Sequence, residues 1–102
     1  MSENNLWTFN VQMKTSIGLR FGHMIVYRNY NRLSGFLEIL NHREPFEGFI
    51  DEEGHCHLSG RIITLVRTID YKATGLITPD TLELSIIDDR YVLKIFGTPC
   101  QP

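Results

Sequence analysis

The chain has little of what marks several common classes of protein. It carries 2 cysteines, Cys56 and Cys100, which are too few and too far apart for a disulfide scaffold. Its 10 basic and 12 acidic residues are interspersed and give a formal net charge of −2. No basic stripe of the kind that a phosphate backbone attracts is present. We therefore expect neither a secreted disulfide-rich fold nor a partner that is a nucleic acid.

Long apolar segments are also missing. Residues 1–7 are polar and lack the apolar segment of a signal peptide. The stretches without charge are much shorter than the roughly 20 residues that span a membrane. Together with the low cysteine count, these features predict a soluble, cytoplasmic protein that does not associate with a membrane.

Helical spacing of apolar residues is hard to find, and strict alternation takes its place. With 102 residues, 42% of them hydrophobic, the chain fits a single domain over 1–102 with a real core. We predict eight strands, the last two of which centre on 82–86 and 91–97. The first six span about 6–14, 19–28, 33–40, 45–50, 55–64 and 66–78.

One short phrase recurs along these strands and contains five of the eight glycines, namely Gly35, Gly48, Gly60, Gly75 and Gly97. Each glycine shares its two-residue phase with apolar neighbours. By analogy, Gly22, Met24 and Val26 are assigned to the inward face of the second strand. Glycine weakens a strand, so its recurrence indicates sharp bending around a small core. We predict an all-β fold, an eight-stranded antiparallel up-and-down meander that closes into a small barrel.

The region from Leu33 to Gly97 resembles small bacterial lipocalin-like (calycin-like) β-barrel proteins of unknown function. The resemblance rests on the segments Leu33-Ser-Gly35, Pro45-Phe-Glu-Gly48, Ile50-Asp-Glu-Glu-Gly54, Leu58-Ser-Gly60, Tyr71 with Gly75, and Ile95-Phe-Gly97. It implies a lipocalin-like barrel and a small-molecule pocket, and it implies no catalytic residue.

Whether the barrel is hollow is the main functional question, because an eight-stranded barrel either is filled by side chains or holds one small ligand. Arg67 falls in the inward phase, where a guanidinium needs a carboxylate, carbonyl groups or an anionic ligand. The alternative is that Arg67 lies at a strand end and reaches solvent. The candidate ligand-binding residues are Arg67, Tyr71, Tyr91, Met24, Met13 and Trp7. A filled barrel would instead use aromatic side chains such as Phe46 to replace the volume that the glycines omit.

The outward phase is less polar than a solitary barrel needs. Phe36, Phe49 and Ile63 fall on three consecutive strands, so they predict one apolar patch and an interface with a second copy or a partner protein. The alternative is that the alternation of one strand is assigned to the wrong face, in which case Phe36 or Phe49 points into the barrel.

His55 and His57 are the one pair with the types and spacing of metal ligands, on one face of the fifth strand. Further ligands would have to come from His42 or His23, which nothing in the spacing requires, so we predict neither a metal nor a cofactor. Cys56 lies in an apolar phase and is expected to be inert. No catalytic residue is predicted, and a small barrel enzyme is the weakest interpretation.

The leading hypothesis is therefore a non-enzymatic barrel that binds an apolar or carboxylate-bearing small molecule. The alternative is a protein-interaction module with a filled barrel that self-associates through its outer apolar patch.

Overall fold

A computed structural model describes residues 4–15, 18–64, 67–87 and 92–100. The strands are β1 (Asn4–Thr15), β2 (Gly18–Asn29), β3 (Arg32–Ile39), β4 (His42–Ile50), β5 (His55–Ile63), β6 (Thr68–Thr78), β7 (Thr81–Ile87) and β8 (Val92–Pro99). Each strand pairs antiparallel with the next, and β8 pairs with β1, so that the sheet closes. The described ranges contain no helix, and thus none long and apolar enough to cross a membrane. The predicted fold class is confirmed.

Most strand boundaries differ from the prediction by one to three residues, and two of these differences concern Pro45 and Arg67. Pro45 does not open β4, which begins at His42. Pairing of β4 with β5 starts only at Phe46, so Pro45 lies where β4 pairs with β3 alone. Its missing N–H therefore does not interrupt the β4–β5 ladder. At the other boundary β6 begins at Thr68, which leaves Arg67 outside the strand.

The size of the barrel follows from the register of its strands. A row of paired residues that starts at Asn4 passes once through all eight strands and returns to β1 at Lys14, ten residues further along. This offset requires the strands to tilt by roughly 35–45° to the barrel axis. A barrel of these dimensions has room for one layer of inward side chains or for one small ligand.

Four inward glycines allow neighbouring strands to approach more closely than any side chain would permit. A Cβ atom on Gly35, Gly48 or Gly75 would lie 1.9 Å from a carbonyl oxygen of the adjacent strand, and one on Gly22 would lie 2.1 Å away. In every case the carbonyl belongs to the residue just before the glycine's Cα partner. Three of the five recurring glycines, Gly35, Gly48 and Gly75, therefore share one local geometry with Gly22.

Two further glycines are covered by side chains from the facing strands. A Cβ atom on Gly60 would lie 2.6 Å from the Tyr71 hydroxyl, and one on Gly97 would lie 3.0 Å from the Cβ of Leu82. The aromatic ring of Phe46 also reaches Gly35, its Cα partner. Large residues thus replace the volume that the glycines omit, a known way to stabilise glycine positions in sheets.

Candidate functional site

The interior of the barrel is a packed core. Its 21 buried apolar side chains are all 7% exposed or less, and they form one cluster. A side chain that lined a cavity large enough for water would present accessible surface to that cavity. Within the described ranges, these 21 side chains therefore present almost no accessible surface, while Trp7, Leu40 and Leu93 are half-buried and pack against them.

Three of the predicted ligand-binding residues are part of this core. Met24, Met13 and Tyr71 are 1%, 2% and 5% exposed. Trp7 is half-buried and packs against the cluster, while Tyr91 lies outside the described residues. A ligand-binding role for these residues stays a prediction, and it would require the core to open.

The predicted inward direction of Arg67 is wrong, because the residue lies ahead of β6 and is exposed. Its backbone closes the connection between β5 and β6. The Arg67 carbonyl accepts hydrogen bonds from the Thr64 N–H (2.8 Å) and the Thr64 hydroxyl (2.9 Å). This placement agrees with the alternative given above, in which Arg67 lies at a strand end and reaches solvent.

The predicted patch of Phe36, Phe49 and Ile63 is not contiguous. All three point outward, but Phe36 pairs with Pro45, which lies four residues, or about 13 Å, from Phe49 along β4. Ile63 lies beyond Gly60, where pairing between β4 and β5 ends. The register therefore separates the three side chains.

Arginine side chains cover both phenylalanines. The guanidinium carbon of Arg43 lies 4.4 Å from the ring centroid of Phe36, and that of Arg32 lies 5.4 Å from the ring centroid of Phe49. Such cation–π contacts occupy one face of each ring and hold the arginine side chain in place.

A different set of outward apolar residues is contiguous. We call it the β1–β4 patch, and it consists of Leu6, Ile25, Tyr27, Phe36 and Pro45. Leu6 is the Cα partner of Tyr27, and Phe36 is the Cα partner of both Ile25 and Pro45. Leu6 is 58% exposed and Tyr27 is 46% exposed. Directly paired residues on one face lie roughly 5 Å apart, so these side chains share one surface.

A groove on the outer wall lies beside this patch and has a volume of about 900 Å³. We call it the arginine groove. Its outward lining residues include Phe21, His23, Glu38 and Arg43. Arg20 and His42 line it too, but they are the Cα partners of the core residues Met13 and Ile39 and belong to the inward phase. Gly22 lines it too, at one of the four points where the strands approach most closely.

Positive charge exceeds negative charge among the lining residues of the arginine groove. Glu38 is their one carboxylate, and its Oε2 lies 3.5 Å from the Nε of Arg43. His23 is the Cα partner of Glu38 on the other side. Arg20 donates one hydrogen bond from Nη1 to the Leu19 carbonyl at 3.0 Å and keeps further donors. On the outward face of the groove Arg43 and Glu38 therefore form one ion pair, whereas Arg20 lies in the inward phase near the start of β2.

A strained turn closes one end of the groove. Leu40 and Asn41 form the two-residue link between β3 and β4, with φ values of 55° and 66°. Positive φ at both positions is what a type I′ hairpin turn requires. Asparagine tolerates this conformation, whereas for leucine it costs roughly 1–2 kcal/mol. Backbone strain of this kind is often found at functional sites.

The second groove has a volume of about 490 Å³ and lies on the outside of β5–β8. One row of directly paired residues crosses it, namely His57, Thr74, Ser85 and Lys94. Glu83 also lines this groove, so it holds charges of both signs. It shows no excess of one charge that would select a ligand.

The predicted histidine pair is only partly brought into a cluster. His55 lies with Asp51 and Glu53, and the candidate ligand atoms of these exposed residues are within 4.8 Å of one another. His55 Nδ1 is 3.5 Å from Asp51 Oδ2. His57 is two residues further along β5, while His23 and His42 line the arginine groove.

This cluster has a structural explanation in the β4–β5 turn. Desolvation pushes the pKa of Asp51 upward, but hydrogen bonds from the backbone N–H groups of His55 and Glu53 outweigh it and hold the pKa below its usual value. These two bonds measure 3.0 and 2.9 Å at Asp51 Oδ1. The carboxylate therefore fixes the turn.

Burial suppresses the ionisation of two side chains in the core. Desolvation raises the pKa of the Cys56 thiol to about 11 and that of the Tyr71 hydroxyl to about 12. Both groups are neutral at physiological pH. A thiol that stays protonated is a poor nucleophile, as the sequence predicts for Cys56.

Sequence reasoning missed the arginine groove. Its residues come from four consecutive strands and from β8, and nothing in the sequence indicates that Phe21, Glu38 and Arg43 line one surface. The two-residue turn at Leu40 and Asn41 fixes the β3–β4 register, and that turn was predicted as a longer connector over 41–44.

Comparison with known proteins identifies no relative of this chain. No protein-family model, no curated protein and no solved structure matches this chain.

Proposed function

We propose that this protein is a protein-interaction module that works from the outer wall of a filled barrel, and that its partner is a second copy of itself. The observation that carries the proposal is the packed interior, whose apolar side chains are 7% exposed or less. With the interior occupied, the outer wall is the surface left for recognition. Among the residues that the structure describes, nine large apolar ones are exposed there or at its turns.

The closed barrel restricts how such an interface can form. Each strand pairs on both sides over part of its length, and β8 pairs with β1, so the sheet closes into a barrel. We therefore assign the interface to side chains on a face of the wall. Within the β1–β4 patch, Leu6 is 58% exposed and Tyr27 is 46% exposed.

The surroundings of the patch favour a second copy as the occupant. Glu38, Glu47 and Arg43 lie at its margin, so both signs of charge border the apolar side chains. In a two-fold dimer the same surface faces itself, and a margin with both signs allows acid to meet base across the axis.

We expect the dimer to be weak. Five patch residues are fewer than the 20–30 residues per side of a standard interface. A dissociation constant of roughly 10–100 µM, or about 6 kcal/mol, fits a contact of this size. The dimer would form and dissociate with protein concentration.

Tyr27→Glu tests the proposal. Sedimentation velocity over a series of protein concentrations should show the wild-type mass rising from 11.8 kDa toward twice that value. Tyr27→Glu should remain a monomer, because a carboxylate would be placed opposite Leu6 in the apolar contact. Ser85→Glu adds the same charge on β7, where Ser85 pairs with Thr74 and Lys94 away from the patch, and should dimerise like the wild type.

Two results would contradict the proposal. A wild-type mass that stays at one subunit at every concentration removes self-association. Equal dimerisation of the wild type and Tyr27→Glu, with Ser85→Glu unchanged, places the interface elsewhere on the barrel.

We also infer that the chain is lipocalin-like and cytoplasmic. The first inference is supported by eight antiparallel strands in up-and-down order around a closed barrel. The second is supported by Cys56 and Cys100, both of which are free thiols, as is usual in a reducing compartment.

A further inference from the structure

All three lysines of the chain lie on one side of the barrel wall. Lys14 is on β1, Lys72 on β6 and Lys94 on β8, and each is exposed at an outward position. Lys14 and Lys94 are Cα partners, so two positive charges stand side by side on adjacent strands. Like charges in a direct cross-strand pair are destabilising. An anionic partner on this side of the wall would relieve that repulsion.

Two described carboxylates border the lysines without forming an ion pair with them. Asp70 on β6 instead pairs with Arg61 at 3.2 Å, and Glu83 on β7 is the Cα partner of Phe96. Among the described residues, which leave out the link 88–91, no ion pair to any of the three lysines is present. This side of the wall therefore carries uncompensated positive charge, although the chain has a formal net charge of −2.

Large exposed apolar side chains surround the lysines. Of the nine that the described ranges contain, five lie on this side of the wall, namely Leu19, Phe21, Ile87, Val92 and Phe96. Each is between 45% and 67% exposed. We call these five residues and the three lysines the lysine face. Single exposed apolar residues are ordinary, but a contiguous group among charged residues marks a surface for recognition.

The strand register makes the lysine face contiguous. Leu19 is the Cα partner of Lys14. Ile87 is the Cα partner of Lys72 on one side and of Val92 on the other. Because directly paired side chains on one face lie roughly 5 Å apart, the apolar and the cationic groups share one surface.

Pairing and shape favour a lipid surface as the occupant of this face. From Phe9 to Lys14, β1 pairs with β2 and with β8, so the face offers no free strand edge to an added peptide. Phe21 and Phe96 are both Cα partners of Gln12, so they project side by side from the outer wall. A small molecule needs a concave site, whereas projecting apolar side chains with lysines among them suit a bilayer interface.

We propose that the lysine face docks on an anionic lipid bilayer, with the three lysines at lipid phosphate groups and the five apolar side chains among the headgroups. Apolar insertion and attraction to anionic lipids both strengthen such a contact. The site goes beyond the self-association proposed above and does not depend on it. The sequence prediction of no membrane association rested largely on the lack of a spanning segment, which a peripheral contact does not require.

Co-sedimentation with lipid vesicles tests the proposal. Vesicles of equal parts phosphatidylcholine and phosphatidylglycerol should bind the wild type roughly tenfold more tightly, or better, than vesicles of phosphatidylcholine alone. Added salt should release the protein, because screening weakens the attraction of the lysines to the lipid. The net charge of −2 opposes adsorption of the chain as a whole, so binding to anionic lipid requires a local cationic face.

Matched variants locate the contact. Lys14→Gln and Lys94→Gln should each weaken binding to the anionic vesicles roughly fivefold, whereas Arg32→Gln, which removes the same charge on β3, should bind like the wild type. Phe96→Ser should weaken binding by roughly fivefold or more, and Phe49→Ser on β4 is its control. In the strand order, β3 and β4 lie across the barrel from β7 and β8. Circular dichroism reports whether each variant is folded, and Lys14→Gln should melt no lower than the wild type because it removes a like-charge pair.

Each result decides for or against the lysine face. Binding that requires anionic lipid, and that the lysine variants and Phe96→Ser weaken while both controls retain it, supports the proposal. Absence of binding at roughly 5 mM anionic lipid overturns it. Equal binding to neutral vesicles, or an equal loss in Arg32→Gln and Lys14→Gln, overturns it as well. If polyglutamate binds through these lysines and vesicles do not, the occupant is an acidic protein segment instead. Self-association is measured without lipid, so failure here leaves that test unaffected.

Discussion

Replacing Gly48 with alanine should destabilise the barrel strongly, although alanine normally stabilises a strand relative to glycine. Gly48 has no unusual backbone conformation, so removing its flexibility would by itself stabilise the fold by roughly 0.5–1 kcal/mol. A Cβ atom there would instead lie 1.9 Å from the His57 carbonyl oxygen, whereas ordinary contacts begin at 3.4 Å. Loss of backbone flexibility would raise the free energy of unfolding, whereas the contact with the His57 carbonyl would lower it. The sign of the measured change therefore shows which effect is larger.

The magnitude follows from the movement that relieves this contact. β4 and β5 would have to separate locally by about 1.5 Å, which is enough to break the ladder hydrogen bonds on either side of Gly48. Two such bonds and the repacking of nearby core residues cost about 2–4 kcal/mol. The melting temperature should therefore fall by roughly 10–20 °C for a domain of this size.

Thermal and urea unfolding of three variants tests this reasoning. Gly75→Ala should behave like Gly48→Ala, since its Cβ would also lie 1.9 Å from a carbonyl oxygen. Gly97→Ala should be milder, because its nearest neighbours are side-chain atoms of Leu82 and Val11 at 3.0 and 3.2 Å. If Gly48→Ala and Gly75→Ala melt at or above the wild-type temperature, the close approach of the strands is refuted.

Two further predictions concern the buried titrating groups. Burial raises the pKa of Tyr71 from 10.0 to about 12, so the folded state holds a proton that the unfolded state loses. This contribution of about 3 kcal/mol is complete below pH 10 and is lost as the pH rises toward 12. In urea unfolding, the free energy of unfolding of Tyr71→Phe should fall less between pH 10 and pH 12 than that of the wild type. An identical fall in both proteins would contradict the raised pKa of Tyr71. Cys56 is 2% exposed and its thiol pKa is raised to about 11, whereas Cys100 is half-buried. A thiol-reactive disulfide reagent at neutral pH should therefore label Cys100 first and Cys56 only on unfolding, and rapid labelling of both would count against the packed core.

The sequence was sufficient for the fold because the barrel is built from local signals. Alternation placed Phe9, Val11 and Met13 on one face, and the glycine phase assigned Met24 and Val26 correctly to the interior. Every strand pairs with its sequence neighbour, apart from the closure of β8 on β1, so little long-range information was needed.

The sites depended on information that alternation does not contain. Which outward residues touch is set by the register between strands, and the register is set by the turns. The patch predicted from Phe36, Phe49 and Ile63 ignored offsets of several residues between strands. The inward direction predicted for Arg67 depended on where β6 begins, and strand ends are the least regular part of the pattern.

Filling of the interior was an open question at the level of sequence. Inward glycines remove volume, and only the facing residues show whether it is restored. Here Tyr71 lies over Gly60 and Phe46 over Gly35, each pair being Cα partners. These pairings convert a wall that could have enclosed a ligand into a solid core.

A crystal structure determined under xenon pressure tests the central claim, a barrel filled by its own side chains, most directly. Xenon enters empty apolar cavities and is readily located by its scattering. The packed core predicts no xenon site inside the barrel. A xenon atom enclosed by Phe9, Met24 and Ile86 would reveal an interior cavity and return the search for function to a ligand within the barrel.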